Sequence, residues 1–209
     1  MLEISKKKIS VGIINLELHN LFSIFHAMKI LDYNVRVYNL QQSKYNSDIL
    51  ILPGVGSYNA AMEIIKKNHI DEKVKEFLNK KKLLFGICLG MQLLFEKSNE
   101  FGSTQGMGLI KGSVKKFPNK ALKIPHIGWE KIKKTKKVNF LSDKDYYYFV
   151  HSFYCNPSNK NSILSYTNYQ GFNYCSSVYT NNIFATQFHP EKSGESGIKI
   201  YKNFLDLIK

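Results

Sequence analysis

Cys88 stands between two glycines, in Gly86-Ile87-Cys88-Leu89-Gly90, where the apolar run Leu83-Leu84-Phe85 gives way to a second one through Leu93, Leu94 and Phe95. The pattern predicts a short strand turning sharply into a helix, with the cysteine at the apex and exposed above the sheet edge. Such a crowded turn tolerates little bulk two residues either side of the apex, which is what the glycines provide. The following helix would aim its free N–H groups and positive dipole end at the sulfur. A thiol in that field has a lowered pKa and is a better nucleophile. Cysteine in place of the usual serine of such an elbow points to acyl transfer through a thioester. A single cysteine in an apolar run is more often a buried small hydrophobe; the symmetric glycines argue against that here.

A cysteine nucleophile needs a base to take its proton and return it to the leaving group, and a third group to orient the base. Among six histidines, His189 fits best. It directly follows a predicted strand, and Pro190 forces the chain into an extended turn. Glu191 could reach the far ring nitrogen and fix its tautomer and orientation. A histidine standing alone at a strand end would be read as an ordinary polar residue. A third stretch, Pro53-Gly54-Val55-Gly56-Ser57, carries two glycines around a small residue, which lets backbone N–H groups turn towards an anion or oxyanion. The plainer reading is a tight strand-to-helix connection, with Ser57 capping the helix.

These pieces need a scaffold that brings them together. Ile9 to Asn15 reads as a buried strand, and residues 20–31 carry Leu21, Ile24, Phe25, Met28 and Leu31 at helical spacing. Strands follow at Val35 to Tyr38 and Asp48 to Leu52, then helices through Ala60 to Ile65 and Asp71 to Asn79. That alternation means a parallel sheet with crossover helices, on which ligands sit outside the carboxyl ends of the strands. From Gly102 to Asp143 the short alternating stretches suggest hairpins and loops. Tyr146 to Val150, Ile163 to Tyr166, Asn173 to Tyr179 and Ile183 to Thr186 read as antiparallel strands, and an amphipathic helix with Ile198, Ile200, Tyr201, Phe204, Leu205 and Ile208 closes the chain. The expectation is one α/β domain spanning 1–209, with a mostly parallel central sheet flanked by helices and an added antiparallel β region in its C-terminal half.

Bulk composition narrows the function. The 209 residues are 44% hydrophobic and 22% charged, ordinary values for a soluble domain. The net charge of +14 resembles a nucleic-acid signal, yet Arg36 is the only arginine among 30 basic residues. Nucleic-acid readers lean on arginine, so the lysines are read as solvated faces and no nucleic-acid partner is expected. Three widely spaced cysteines argue against a disulfide framework or a structural zinc site. No apolar run reaches membrane-spanning length, and Lys6-Lys7-Lys8 precede too short an apolar stretch for a signal peptide. The expectation is a cytoplasmic protein with no membrane partner, no metal and no cofactor.

Gly86 to Gly90, Pro53 to Gly56 and His189 to Glu191 together resemble, in order and spacing, the three signature segments of the class I (triad) glutamine amidotransferases. More closely, Phe85 to Gln92, Pro125-His126-Ile127-Gly128-Trp129, Tyr148 to Ser152 and Gln187 to Ser193 are similar to the glutaminase subunits of imidazole glycerol phosphate synthases, over essentially the whole chain. The resemblance implies that Cys88 attacks the glutamine carboxamide, His189 moves the protons and Glu191 holds His189. It implies an oxyanion hole from the N–H of Leu89 and one from Val55 or Gly56. Gly54, Gln92, His151, Ser152 and Phe153 would hold glutamine. Asn20, Ser23, Pro125, His126, Gly128 and Trp129 would face a (β/α)8-barrel cyclase in a heterodimer, and ammonia would cross that interface to make imidazole glycerol phosphate and an aminoimidazole carboxamide ribotide. The chain departs from the family pattern in Asn15-Leu16-Glu17-Leu18-His19-Asn20 and at Glu130, both on the partner side. Other readings are a paralogous glutaminase serving a sugar-modifying synthetase, a stand-alone cysteine hydrolase, and a scaffold with an idle site.

Overall fold

Ile49-Leu50-Ile51-Leu52 is apolar at every position and buried at every position, as the middle of a parallel sheet requires. In the computed structural model, which describes residues 8–18, 21–118, 123–205 and 207, this strand sits in the middle of the five-stranded parallel part of the sheet. Strands β1 (Ser10–Ile14), β2 (Asn34–Tyr38), β3 (Ile49–Leu52) and β4 (Leu83–Ile87) are interleaved with helices α1 (Phe22–Ile30), α2 (Tyr58–Lys67) and α3 (Ile70–Asn79). Beyond β4 come α4 (Leu89–Leu93), β5 (Phe95–Ser98), β6 (Thr104–Gln105), β7 (Ile110–Lys116), β8 (His126–Lys131) and β9 (Lys133–Lys134). The chain finishes with β10 (Tyr146–His151), β11 (Phe153–Pro157), β12 (Ile163–Tyr169), β13 (Phe172–Thr180), β14 (Ile183–Thr186) and α5 (Gly194–Leu205).

One sheet runs in the order β2-β1-β3-β4-β14-β13-β11-β7-β5-β6, with β12 on β13 and β9 on β12; β8 and β10 form a separate antiparallel ribbon. The segment read as the last antiparallel strand, β14, has a double allegiance. It is antiparallel to β13 but parallel to β4, with Thr186 opposite Ile87. The antiparallel region is therefore a direct continuation of the parallel one. Strands β3, β4 and β14 run side by side in one direction, so their carboxyl ends lie at one edge. That edge receives the Gly54–Gly56 loop, Cys88 and His189.

Alternation along the central strands divides the core between the two faces. Leu50 and Leu52 pack with Ala61, Met62 and Ile65 of α2 and Val74 and Phe77 of α3. Ile49, Ile51 and Phe85 pack with Ile24 and Met28 of α1 and Tyr201 and Phe204 of α5. Ser57 caps α2 as expected, its hydroxyl accepting from the Ala60 N–H at 3.4 Å.

The elbow helix is shorter than its sequence suggests. It ends at Leu93, and Phe95 begins β5. The Leu93 carbonyl accepts from Met107 N–H, and the Leu94 carbonyl from Leu109 and Ile110 N–H, each at 2.9 Å. These distant partners take the carbonyls that a longer helix would use for itself. Gly90 fits its place only for want of a side chain: a Cβ there would lie 1.8 Å from the Leu52 carbonyl oxygen. Gly90→Ala is expected to lower the unfolding free energy by about 3 kcal/mol, because rigid backbone must move. Gly56→Ala meets no atom within 4 Å, and its φ of +97° strains any other residue, so its cost should be about 1 kcal/mol. Urea denaturation of the two variants checks the order.

Candidate active site

Cys88, between β4 and α4, has φ 54° and ψ −112°, a conformation L-residues avoid and one that is kept where the surrounding structure dictates it. Its N–H donates to the Thr186 carbonyl of β14 at 2.7 Å, which fastens the apex to the neighbouring strand. The residue is 6% exposed, so the apex is covered, contrary to the exposed thiol expected. The cover comes from β10 and the segment that follows β14. The Sγ–H of Cys88 points to the Val150 carbonyl at 3.9 Å, and Gln187 Nε2 approaches the sulfur at 3.8 Å.

His189 arrives from β14. Its N–H donates to the Tyr148 carbonyl at 2.9 Å, and Ser193 Oγ donates to the His189 carbonyl at 2.7 Å while accepting from the Tyr148 N–H at 3.0 Å. This clasp fixes the backbone on either side of Pro190. A Cβ on Gly197 of α5 would lie 1.8 Å from the Pro190 carbonyl oxygen, so the closing helix presses directly against the turn. His189 Nδ1 meets Glu191 Oε1 at 2.7 Å, with both side chains buried, and Tyr201 OH donates to Glu191 Oε2 at 3.5 Å. A carboxylate only accepts, so Nδ1 carries the proton. His189 Nε2 is buried and makes no hydrogen bond among the described residues. Burial alone would lower the imidazole pKa; the adjoining Cys88 sulfur and the Glu191 carboxylate outweigh it and raise it to about 10.

A cleft of about 290 Å³ opens over Cys88. Val55, Gly56 and Leu89 form one wall, and Gln92, His151, Ser152 and Phe153 another. The volume suits a small amino acid. Leu89 is the first residue of α4, so its N–H has no intrahelical partner. Gln92 is fixed by two hydrogen bonds from its Nε2, to the Phe153 carbonyl and to Gln187 Oε1, both at 3.0 Å. His151 is pinned through Nδ1 to the Phe153 carbonyl at 2.8 Å and through Nε2 to Tyr174 OH at 3.2 Å.

Glu100 and Gln187, to which the sequence assigns no role, also belong to the site. Glu100 lies in the cleft with Oε2 accepting from the Tyr58 N–H at 2.8 Å, which leaves its other oxygen for a ligand. A carboxylate eight residues past Gln92 was the available signal. Gln187, fully buried, touches the sulfur; only its place two residues before His189 hinted at it. Gly54 does not line this cleft. It is buried beneath α4, where a Cβ would come within 3.0 Å of Leu89 Cβ.

On the far side of the Gly54–Gly56 loop is a second cavity of about 260 Å³, shared by Ser23, Gly54, Val55, His189, Glu191 and Lys192. Beside it Lys192 Nζ sits 5.7 Å above the Tyr148 ring, which meets the Trp129 ring edge-on at 5.5 Å. Trp129 is 52% exposed and Ile127 59%. Pro125 is exposed and lines the mouth of the cleft. His126 contradicts its expected place on the partner face. It is 1% exposed, stacked on Tyr169 with centroids 3.8 Å apart, because alternation along β8 turns Ile127 and Trp129 outward and His126 inward. Gly128 is half-buried opposite Phe149, and Asn20 lies outside the described residues.

Residues 12–207 match the family model for class-I glutamine amidotransferases. The chain belongs to that family. Among the amidotransferases it is 43% identical over 202 residues to imidazole glycerol phosphate synthase subunit HisH of Caldanaerobacter subterraneus, covering 95% of this chain and 98% of the relative. It is 41% identical over 204 residues to subunit HisH 1 of Methanococcus maripaludis, covering 95% and 100%. The structure of PurLQS from Thermotoga maritima shares the amidotransferase fold at TM-score 0.77 and 20% identity, over 97% of this chain and 100% of that one. A crystal structure described as a glutamine amidotransferase does so at TM-score 0.74 and 18% identity, over 94% and 97%.

Proposed function

We propose that the chain, with residues 1–209 acting as one domain, is the cytoplasmic glutaminase subunit of an imidazole glycerol phosphate synthase, paired as a heterodimer with a (β/α)8-barrel cyclase. The observation that carries the chemistry is the meeting of the Cys88 thiol and the His189–Glu191 pair at the carboxyl ends of adjacent strands, beside a cleft of amino-acid size. HisH relatives covering nearly the whole chain favour this partner over a sugar-modifying synthetase.

In this reading the Cys88 proton already rests on His189 Nε2, whose pKa is raised to about 10, and the Sγ thiolate attacks the carboxamide carbon of glutamine. The oxyanion is held by the N–H of Leu89 and one from Val55 or Gly56. His189 returns the proton to the departing amine, releasing ammonia and leaving a γ-glutamyl thioester. Water then attacks the thioester with His189 as base, and glutamate leaves as the thiol is restored. Both Gln92 N–H groups are taken by protein oxygens, so Gln92 offers glutamine only its Oε1. That acceptor and the free Glu100 oxygen suit an α-ammonium. Ammonia leaves on the His189 side, through the cavity at Ser23 and Lys192, towards a partner docked on Trp129 and Tyr148 and covering the exposed Ile127.

Glutamate release from glutamine should be slow for the chain alone and rise strongly when the barrel subunit is added with a ligand in its active site. Absent activation, with Cys88 still alkylated by a glutamine-like electrophile, would mean a competent site serving another acceptor.

A further inference from the structure

The sulfur of Cys88 is gripped from two directions, and the two grips favour different charge states. The Val150 carbonyl, at 3.9 Å, can only accept and therefore serves the neutral thiol. Gln187 Nε2, at 3.8 Å, can only donate and therefore serves the thiolate.

The orientation of the Gln187 amide follows from strict donor–acceptor matching. The Phe153 backbone carbonyl has no hydrogen to give, so the Gln92 atom bonded to it at 3.0 Å must be nitrogen. The same nitrogen lies 3.0 Å from the Gln187 amide, so the facing atom must be oxygen. The remaining end of Gln187, the one against the sulfur, is then the NH2 group. Reversing either amide would set donor against donor or acceptor against acceptor. Gln187 is 0% exposed, so no water can repair such a mismatch. The backbone sustains the arrangement: Gln187 N–H donates to the Ser176 carbonyl at 2.9 Å, and Phe188 points oppositely to stack on Tyr147 at 4.5 Å. In an extended segment that alternation leaves Gln187 and His189 on the side of Cys88.

We propose that Gln187 is a positioning residue for the nucleophile: its amide, held in one orientation by Gln92, donates to the Cys88 sulfur and stabilises the thiolate that attacks substrate. The inference rests on the reading of Cys88 as the nucleophile, but its test needs no glutamine. The rate at which iodoacetamide alkylates Cys88 in the full chain, located by mass spectrometry, is followed across pH. Gln187→Met keeps the volume and removes the donor. It should slow alkylation at neutral pH about tenfold and move the pH profile up by about one unit, converging with the parent at high pH. Gln187→Glu still accepts from Gln92 but faces the sulfur with oxygen; it should move the profile further in the same direction, and it carries the test if the Met variant does not fold. An unmoved profile in either folded variant, or equal slowing at every pH, overturns the proposal. In glutamine hydrolysis the same variants should lose kcat with little change in KM.

Discussion

Cys88→Ala should leave no measurable glutamine hydrolysis while the protein stays folded. Removing the nucleophile of a cooperating triad costs about 10⁴–10⁶ in rate, or roughly 5–8 kcal/mol of transition-state stabilisation. The structural cost is small, because the hydrogen bonds of the sulfur to Val150 and Gln187 are long, at 3.9 and 3.8 Å, and alanine retains the Cβ. Urea denaturation should therefore shift by about 1 kcal/mol at most. In the complex with the cyclase, the variant should still support turnover from ammonium salts, since ammonia made at Cys88 is the only thing it lacks. Loss of glutamine-dependent and ammonia-dependent turnover together would contradict the division of labour between the subunits.

Mild acid should destabilise the protein before its carboxylates titrate. Burial holds His126 neutral down to about 4, and burial together with the nearby His126 and His189 charges holds His151 neutral down to about 3, against the Phe153 carbonyl that favours its protonation. Around these two rings the described neighbours are Tyr174 OH, Phe117, Phe149 and Tyr169, none of them a carboxylate. Both histidines titrate near 6.5 in the unfolded chain. Below that value the unfolded state binds protons that the folded state refuses, so the stability they confer is complete above about pH 6.5 and is lost as pH falls towards their folded values. At about pH 5 the loss is about 2 kcal/mol from each. His189 has the opposite sign: with its pKa raised to about 10, its contribution is complete below pH 6.5 and is lost as pH rises through 10. Most of its change therefore lies on the alkaline side. Between about pH 7 and about pH 5, His126 and His151 together cost roughly 4 kcal/mol and His189 returns about 1, so urea denaturation at the two values should differ by roughly 3 kcal/mol; equal stability would mean that the histidines are not buried as described.

The parts of the site legible in the sequence were those encoded locally. Gly90 marks the elbow because the Leu52 backbone of β3 passes where a side chain would stand, Gly86 because Leu94 and Ala185 crowd the same place, and His189-Pro190-Glu191 contains its own hydrogen bond across two residues. What escaped depends on distant pairing. His126 sits in a strand whose apolar residues, Ile127 and Trp129, face outward while the imidazole faces in, the reverse of the usual alternation. Gln187 acquires its role from an amide 95 residues away. The run Leu93-Leu94-Phe95 reads equally as helix or strand, and backbone donors at 107–110 decide it.

The most direct test of the account is covalent labelling with a glutamine analogue whose carboxamide is replaced by an electrophilic ketone, followed by peptide mass spectrometry. The account predicts one label per chain, on Cys88, slowed by excess glutamine and absent from Cys88→Ala. Labelling at Cys155 or Cys175, or labelling of Cys88 that glutamine does not slow, would contradict it.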